Sequence, residues 1–286
     1  CSTRSANSTS SCGTRTLTGT SMACPAVSGV GLLVRQYFSE GFYPSGAANG
    51  ADSFIPSGAL IKGTLINASV DMTGVSGYPS NREGWGRLLA DQALYFPGDD
   101  RTMWVMDVRN ASGMDTSEVV EYPIEVTGIA EQLRVTMSFT DPAGAANTNF
   151  APVNDLDLEV IAPNGTVYKG NVFSGGESTS GGTKDDRNNI EQVHVSLPAV
   201  GEWTVRINAA AVNVGAQGYA LTVTGMVAEP NDCYADFNGD DTVNSQDVLA
   251  FLNAWAAGDE TADANGDGSV NTQDVLEFLN LWTAGC

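Results

Sequence analysis

Apolar residues change their spacing along this chain, and each regime predicts a different kind of element. Val27, Val30, Val34 and Tyr37 recur at helical spacing with Leu33 beside them, which predicts a buried helix from about Ser21 to Phe38. Its entry, Gly19-Thr20-Ser21-Met22-Ala23-Cys24-Pro25, reads as a turn carrying a hydroxyl pair. Pro25 is expected in the first helical turn, where backbone N–H groups have no helical partner. A loop rich in glycine, serine and proline follows over residues 40–56. A second helical pattern starts near Ser57, its expected cap, and runs through Leu60, Ile61, Leu65 and Ile66. Gly84-Trp85-Gly86-Arg87 predicts a tight turn with Trp85 as a core anchor, and a short helix is expected over about Leu88 to Leu94.

From about Asp99 the period shortens. The segments 119–125, 133–139, 156–161, 193–197, 203–207 and 219–223 alternate or run apolar, and Asp141-Pro142, Pro163-Asn164-Gly165 and Gly181-Gly182 punctuate them. This pattern predicts an antiparallel β-sandwich or jelly roll. Asp155 and Asp157 fall on one face of a strand, because side chains repeat every second residue. Two such carboxylates either flank a cation, with calcium expected and Asp185 approaching from a nearby loop, or form an exposed acidic edge. His194, the chain's one histidine, alternates with Val193 and Val195, which predicts a solvent-facing strand residue rather than a general base.

After Val227-Ala228-Glu229-Pro230 the chain repeats itself at a spacing of 27 residues. In the first copy Asp236, Asn238, Asp240, Thr242 and Asp247 stand at positions 1, 3, 5, 7 and 12 of a loop; in the second the set is Asp263, Asn265, Asp267, Ser269 and Asp274. Oxygen side chains at 1, 3, 5 and 12, with a backbone carbonyl at 7, make a calcium loop of the EF-hand kind. Each loop opens a helix with an apolar side, Val-Leu-x-Phe-Leu-Asn-x-Trp. Asp241 stands at position 6 of the first loop, where glycine normally allows the sharp turn.

Charge and cysteine usage narrow the function classes. With 13 basic and 34 acidic residues the net charge is -21, which excludes a phosphate-neutralising nucleic-acid surface. No apolar run reaches the roughly 18 to 20 residues of a membrane helix, and no signal peptide opens the chain. The chain starts at Cys1 and reads as the C-terminal piece of a longer secreted precursor. Of the five cysteines, Cys233 and Cys286 bracket the last segment and suggest a disulfide clasp. Cys1 with Cys12 could close a short loop, and an odd count leaves at least one thiol free or intermolecular, with the pairing of Cys1, Cys12 and Cys24 open.

A serine before a helix is either an N-cap or, beside unpaired N–H groups and the positive end of the helix dipole, a nucleophile whose oxyanion those groups stabilise. Gly-Thr-Ser-Met-Ala-x-Pro followed by Val27, Ser28 and Gly29 resembles the nucleophile segment of subtilisin-like serine proteases. The resemblance implies Ser21 as the acyl-enzyme nucleophile, Thr20 as support for the oxyanion site, and a chain order that puts the aspartate and histidine before Cys1. It therefore also implies that this chain alone is inactive. Asn154-Asp155-Leu156-Asp157-Leu158, with Asp185-Asp186-Arg187-Asn188-Asn189 and Gly201-Glu202-Trp203, resembles the β-domain of certain bacterial alkaline subtilases and, more distantly, the proprotein-convertase P domain. The two loops with aspartate at position 12 resemble a type I dockerin, implying calcium and a cohesin or cell-surface anchoring partner. The loop positions 10 and 11 read Ser245-Gln246 and Thr272-Gln273, and no lysine or arginine follows Arg206, both departures from cohesin-gripping dockerins.

The expected architecture is multidomain: the end of an α/β subtilase domain at 1–98, an antiparallel β-sandwich or jelly roll at 99–226, a linker at 227–232, and a small α-helical paired calcium-loop module at 233–286. The expected parent activity is secreted peptide-bond hydrolysis on protein or peptide substrates. The alternative is a calcium-stabilised extracellular anchoring fragment with no catalytic role.

Overall fold

A computed structural model describes residues 2–6, 14–228, 234–238, 242–265 and 268–285. The chain divides into two compact units, Cys1–Ala228 and Glu229–Cys286.

In the first unit β1 (Ser2–Ala6) pairs antiparallel with β2 (Thr14–Thr18), which leads into α1 (Thr20–Ser39). Helix α2 (Gly58–Asn67) follows, capped as expected by Ser57, whose Oγ accepts from the Leu60 N–H at 2.9 Å. The pattern expected to be a third helix instead opens with β4 (Arg87–Leu88), paired to β3 (Ser69–Val70), followed by a single 3-10 turn over Ala90–Gln92. Pairing with Ser69 and Val70 takes the backbone groups that a helix would have used.

Ten further strands build two antiparallel sheets. They are β5 (Thr102–Asp107), β6 (Val119–Val126), β7 (Leu133–Ser138), β8 (Asn154–Ile161), β9 (Val167–Ser174), β10 (Glu177–Ser180), β11 (Ile190–Val195), β12 (Gly201–Val212), β13 (Ala220–Gly225) and β14 (Val227–Ala228). One sheet runs β10-β9-β8-β12-β6-β14 and the other β11-β7-β13-β5. Leu156, Leu158, Val160, Val205 and Ile207 of the first meet Leu133, Val135, Met137, Val193, Leu221 and Val223 of the second in one buried cluster. The protein is thus mostly antiparallel β-structure with few helices.

The outer face of the four-stranded sheet is buried too, beneath α2. Thr136, Ser138, Thr222 and Thr224 alternate with the inward apolar residues and are all buried. Asn67 Nδ2 donates to Thr224 Oγ1 at 2.7 Å, Thr136 Oγ1 donates to Asn67 Oδ1 at 2.8 Å, and Ser138 Oγ donates to the Ala59 carbonyl at 2.6 Å. Gly63 permits this approach, since a Cβ there would stand 3.0 Å from Ser138 Oγ. Met103, Val105 and Ala220 on the same face extend the packing to Val34, Phe38 and Leu60.

Helix α1 departs from its expectation. Only Val34, Tyr37 and Phe38 are buried, while Val27, Leu32 and Leu33 stay 42, 68 and 54% exposed. The helix spacing is present, but no residue of the helix's first half is buried. Pro25 is the sixth helical residue, in the second turn rather than the first. Having no N–H, it leaves the Ser21 carbonyl without its i+4 partner.

The second unit consists of α3 (Ser245–Ala257), a 3-10 turn over Glu260–Ala262, and α4 (Thr272–Ala284). Phe251 and Phe278 are fully buried and stacked, with centroids 4.1 Å apart and planes 3° from parallel. The Trp255 indole donates to the Asn271 carbonyl at 2.7 Å, and the Trp282 indole to the Asn244 carbonyl at 2.9 Å. Each repeat's helix thus bonds the other repeat's loop.

Candidate functional site

Thr20 and Ser21 are the first two residues of α1, and both are exposed. Gly19 is the N-cap and makes no side-chain cap, while its carbonyl accepts from Met22 N (3.1 Å) and Ala23 N (3.4 Å). Ser21 is therefore not the cap of this helix. Its hydroxyl stands where the helix presents unpaired N–H groups and a partial positive charge, a setting that favours developing negative charge. Cys24, one turn on, is a free and exposed thiol.

His194 lies on the sheet face opposite Val193 and Val195 as expected, but that face is not open to solvent. The residue is only 7% exposed. Ser178 and Gly176, at the β9–β10 turn, close over it: its N–H donates to Ser178 Oγ at 2.8 Å, and Nδ1 lies 3.2 Å from the Gly176 carbonyl. Nε2 is buried without a partner, so no hydrogen bond links this imidazole to Ser21. Burial, with the Arg134 guanidinium nearby, pushes the imidazole below its ordinary value and keeps it neutral.

Asp155 and Asp157 share the outer face of β8 with Glu159, as the alternation requires. The cation beside them is a lysine: Lys184 Nζ lies 3.0 Å from Asp157 and 3.6 Å from Glu159. Asp185 is already saturated by Asn171 Nδ2 (2.6 Å), Asn188 Nδ2 (2.7 Å) and the Arg187 N–H (2.9 Å). Burial alone would push its carboxyl up, but these donors outweigh that and hold it below the usual range. Asp155 is pushed up to about 6 by burial and by Asp157, Asp186 and Asp185. Among the described residues these aspartates are not gathered into a group of three or more side chains that could hold a metal.

Glu191, unmarked by any motif, is the most perturbed carboxyl of the cluster. It shares the inward parity of Val193 and Val195 on β11 and is 1% exposed. Its Oε2 accepts from Leu158 N at 2.8 Å, while Oε1 is buried with no partner. Gly170 makes the room, since a Cβ there would stand 2.1 Å from Oε2. Burial, aided by Asp157, Asp185 and Asp155, pushes Glu191 up to about 9, so it is protonated at neutral pH.

In the second unit the hydrogen bonds at the position-12 aspartates repeat between the two loops. Asp247 Oδ2 accepts from Asn244 N (2.7 Å) and Oδ1 from Asn238 N (3.1 Å); Asp274 does the same with Asn271 N (2.6 Å) and Asn265 N (3.3 Å). Each aspartate also completes a capping box at the start of its helix. For Asp247, backbone N–H groups and Asp236 outweigh burial and hold the carboxyl below the usual range. Asp274 is held low chiefly by the Asn271 N–H. The carbonyls of Thr242 and Ser269, at position 7, each accept from the asparagine at position 9 at 2.8 Å. Gly268 at position 6 has φ +82°, which favours glycine. Asp236 and Asp247 in one loop, and Asp263 and Asp274 in the other, are carboxylates of the kind a hard cation such as calcium takes, although the described residues alone gather no group of three or more such side chains. Asp240, Asp241, Asp267, Cys1, Cys12, Cys233, Cys286 and most of the 227–232 linker lie outside the described residues.

Comparison with known proteins finds a different family match in each unit. Residues 1–86 match the model of the subtilase family, and residues 234–280 match that of the dockerin type I domain. The serine protease/ABC transporter B family protein tagA of Dictyostelium discoideum is 27% identical over 78% of this chain and 13% of its own length. Its relative tagD, from the same organism, is 25% identical over 83% of this chain and 16% of its own length. The chain thus spans under a fifth of either relative. A crystal structure of Aeromonas sobria serine protease with its chaperone is 16% identical, covering 75% of this chain and 45% of that one at a TM-score of 0.23.

Proposed function

We propose that the chain is part of a secreted serine endopeptidase of the subtilisin kind, in which Ser21 attacks the peptide carbonyl and forms the acyl-enzyme. The observation that carries this reading is the place of Ser21: exposed, second in a 20-residue helix, and not used as a cap. Thr20 and the helix N-terminus would support the oxyanion. The subtilase match over residues 1–86 and the serine protease relatives support the same reading. A serine hydroxyl needs a hydrogen-bonded base, and the chain's one imidazole is buried elsewhere, so these 286 residues alone are inactive.

The two sheets form a β-sandwich from β5 at Thr102 to β14 at Ala228, so the strand β14 takes the first two residues of the expected 227–232 linker; the sandwich carries the catalytic segment, and the module at 233–286 anchors it. Asp236, Asn238, Thr242 and Asp247 in one loop, and Asp263, Asn265, Ser269 and Asp274 in the other, would hold calcium together with Asp240 and Asp267. The ion would supply positive charge where eleven acidic residues and no basic one lie between Asn231 and Cys286. Leu249 on α3 and Leu276, 27 residues later on α4, are 61 and 64% exposed and mark the face for a cohesin or another surface anchor. The buried state of His194 favours a second reading, an anchoring fragment with no catalytic role.

A fluorophosphonate probe separates the two. The 286-residue chain should not label, and the gene product including whatever precedes Cys1 should label at Ser21 and hydrolyse casein. In subtilisin itself, loss of the serine costs about 10⁶-fold in turnover, and Ser21→Ala should cost on that scale. Casein hydrolysis that survives Ser21→Ala refutes the nucleophile assignment. Stoichiometric labelling of the 286-residue chain refutes its inactivity.

A further inference from the structure

A cleft of about 530 Å³ opens in the first unit between α2, the 79–85 loop, β9 and the 185–190 segment. That volume falls within the range of small-molecule pockets, about 300–1,000 Å³. We propose that this cleft binds a neutral saccharide, with Trp85 and Phe173 as its apolar wall and Lys62 and Asn81 as polar contacts. The proposal is independent of the peptidase reading.

Trp85 was expected to anchor the core. It is half-buried instead and stands edge-on to Phe173, with centroids 6.1 Å apart and planes at 74°. Its indole N–H donates to none of the described residues, so this lining residue brings apolar ring surface and an unused donor to the cleft wall. Across from it, Lys62 Nζ donates to Asn189 Oδ1 at 2.9 Å and ion-pairs with no described carboxylate. Two of its three N–H groups remain for a ligand.

The floor is rigid before any ligand arrives. Asn171 has φ +60°, an unusual conformation for a residue other than glycine, and persists because its side chain is held on all sides. Its Nδ2 reaches Asp185 Oδ2 at 2.6 Å and the Ile190 carbonyl at 2.8 Å, and its Oδ1 accepts from Gln192 N at 3.0 Å. Asp185, saturated by these donors, fixes the segment rather than offering a free charge.

The lining chooses the ligand class. Asparagine amides carry donor and acceptor together, as a sugar hydroxyl does. A flat aromatic face suits the C–H face of a pyranose ring, whose apolar surface gains by leaving water. An anionic ligand would approach a protein of net charge -21 and meet Asp185 beside the single lysine. A wholly apolar ligand would desolvate Lys62 and the amides without replacing their hydrogen bonds with water, which carries a penalty. A neutral, hydroxyl-rich ring satisfies both walls.

Calorimetric titration of the full 286-residue chain tests this, using soluble hexasaccharides of β-1,4-linked glucose, xylose, mannose and N-acetylglucosamine. At least one should bind saturably with a Kd of about 10 µM to 1 mM, and Trp85→Ala should weaken it about tenfold or more, ~1.4 kcal/mol. Asn81→Ala, on the exposed loop, and Lys62→Gln keep the fold testable should Trp85→Ala disturb it, and each should weaken binding severalfold. No binding by any of the four up to about 10 mM overturns the proposal. So does binding that all three variants leave unchanged.

Discussion

Glu191 offers the sharpest test of the electrostatics. Its carboxyl spans the gap between the sheets, with one oxygen on Leu158 N and the other unpartnered. Pushed up to about 9, it binds a proton in the folded state that an unfolded glutamate, near 4.3, has released at neutral pH. The sign follows from proton counting. Between about pH 4.3 and 9 the folded state holds more protons, so the glutamate's contribution is fully present below pH 4.3 and is lost as pH rises. At pH 7 the loss is about 2.7 units at 1.36 kcal/mol each, roughly 3 to 4 kcal/mol, a large part of an ordinary domain stability of about 5 to 15 kcal/mol. Glu191→Gln keeps an acceptor for Leu158 N and removes the titration. Thermal and urea unfolding of the wild-type chain and the variant, at several pH values in chelator, should give near-equal stabilities at pH 4. The variant should lead by several kcal/mol at pH 7 to 8. A gap that does not change between pH 5 and 8 would refute the assignment of a neutral Glu191.

Two further outcomes are expected. Asn67→Ala removes the amide that joins Thr224 and Thr136 to α2 and leaves buried hydroxyls unsatisfied, so the unfolding free energy of the first unit in urea should fall by about 1 to 3 kcal/mol, with a lower midpoint at unchanged m-value; a loss under about 0.5 kcal/mol would mean α2 is not held through that amide. Chelation should unfold the second unit selectively, because its acidic loops repel one another without a divalent ion, and far-UV circular dichroism should lose the helical signal of α3 and α4 while the β-signal persists. An unchanged spectrum in excess chelator would remove calcium from the account of this module.

What could be read from the sequence, and what could not, divides along a physical line. Local chemistry was legible: Ser57 caps α2 as its type predicts, and the 27-residue repeat gives the loop-and-helix order of the second unit. Side-chain parity was legible as well, since Asp155 and Asp157 do share a face, and His194 does oppose Val193. Coverage was not. Strand β5 was missed because Met103 and Val105 face the helices while Trp104 faces the core between the sheets, so no polar alternation marks it. His194 was placed in solvent because nothing local says that the β9–β10 turn lies over it. The stripe on α1 predicted burial that the described residues supply only at Val34, Tyr37 and Phe38. Glu191 shows the same limit from the other side. It lies outside the 193–197 segment that the apolar pattern marks, and a carboxyl beside such a strand reads as solvent-facing until Gly170 and the Leu158 N–H are seen to accommodate it. Periodicity decides which side chains share a face; the partner across that face, from 16 positions away at Ser178 over His194 to 157 at Thr224 against Asn67, decides whether the face is a core, a cleft or a site.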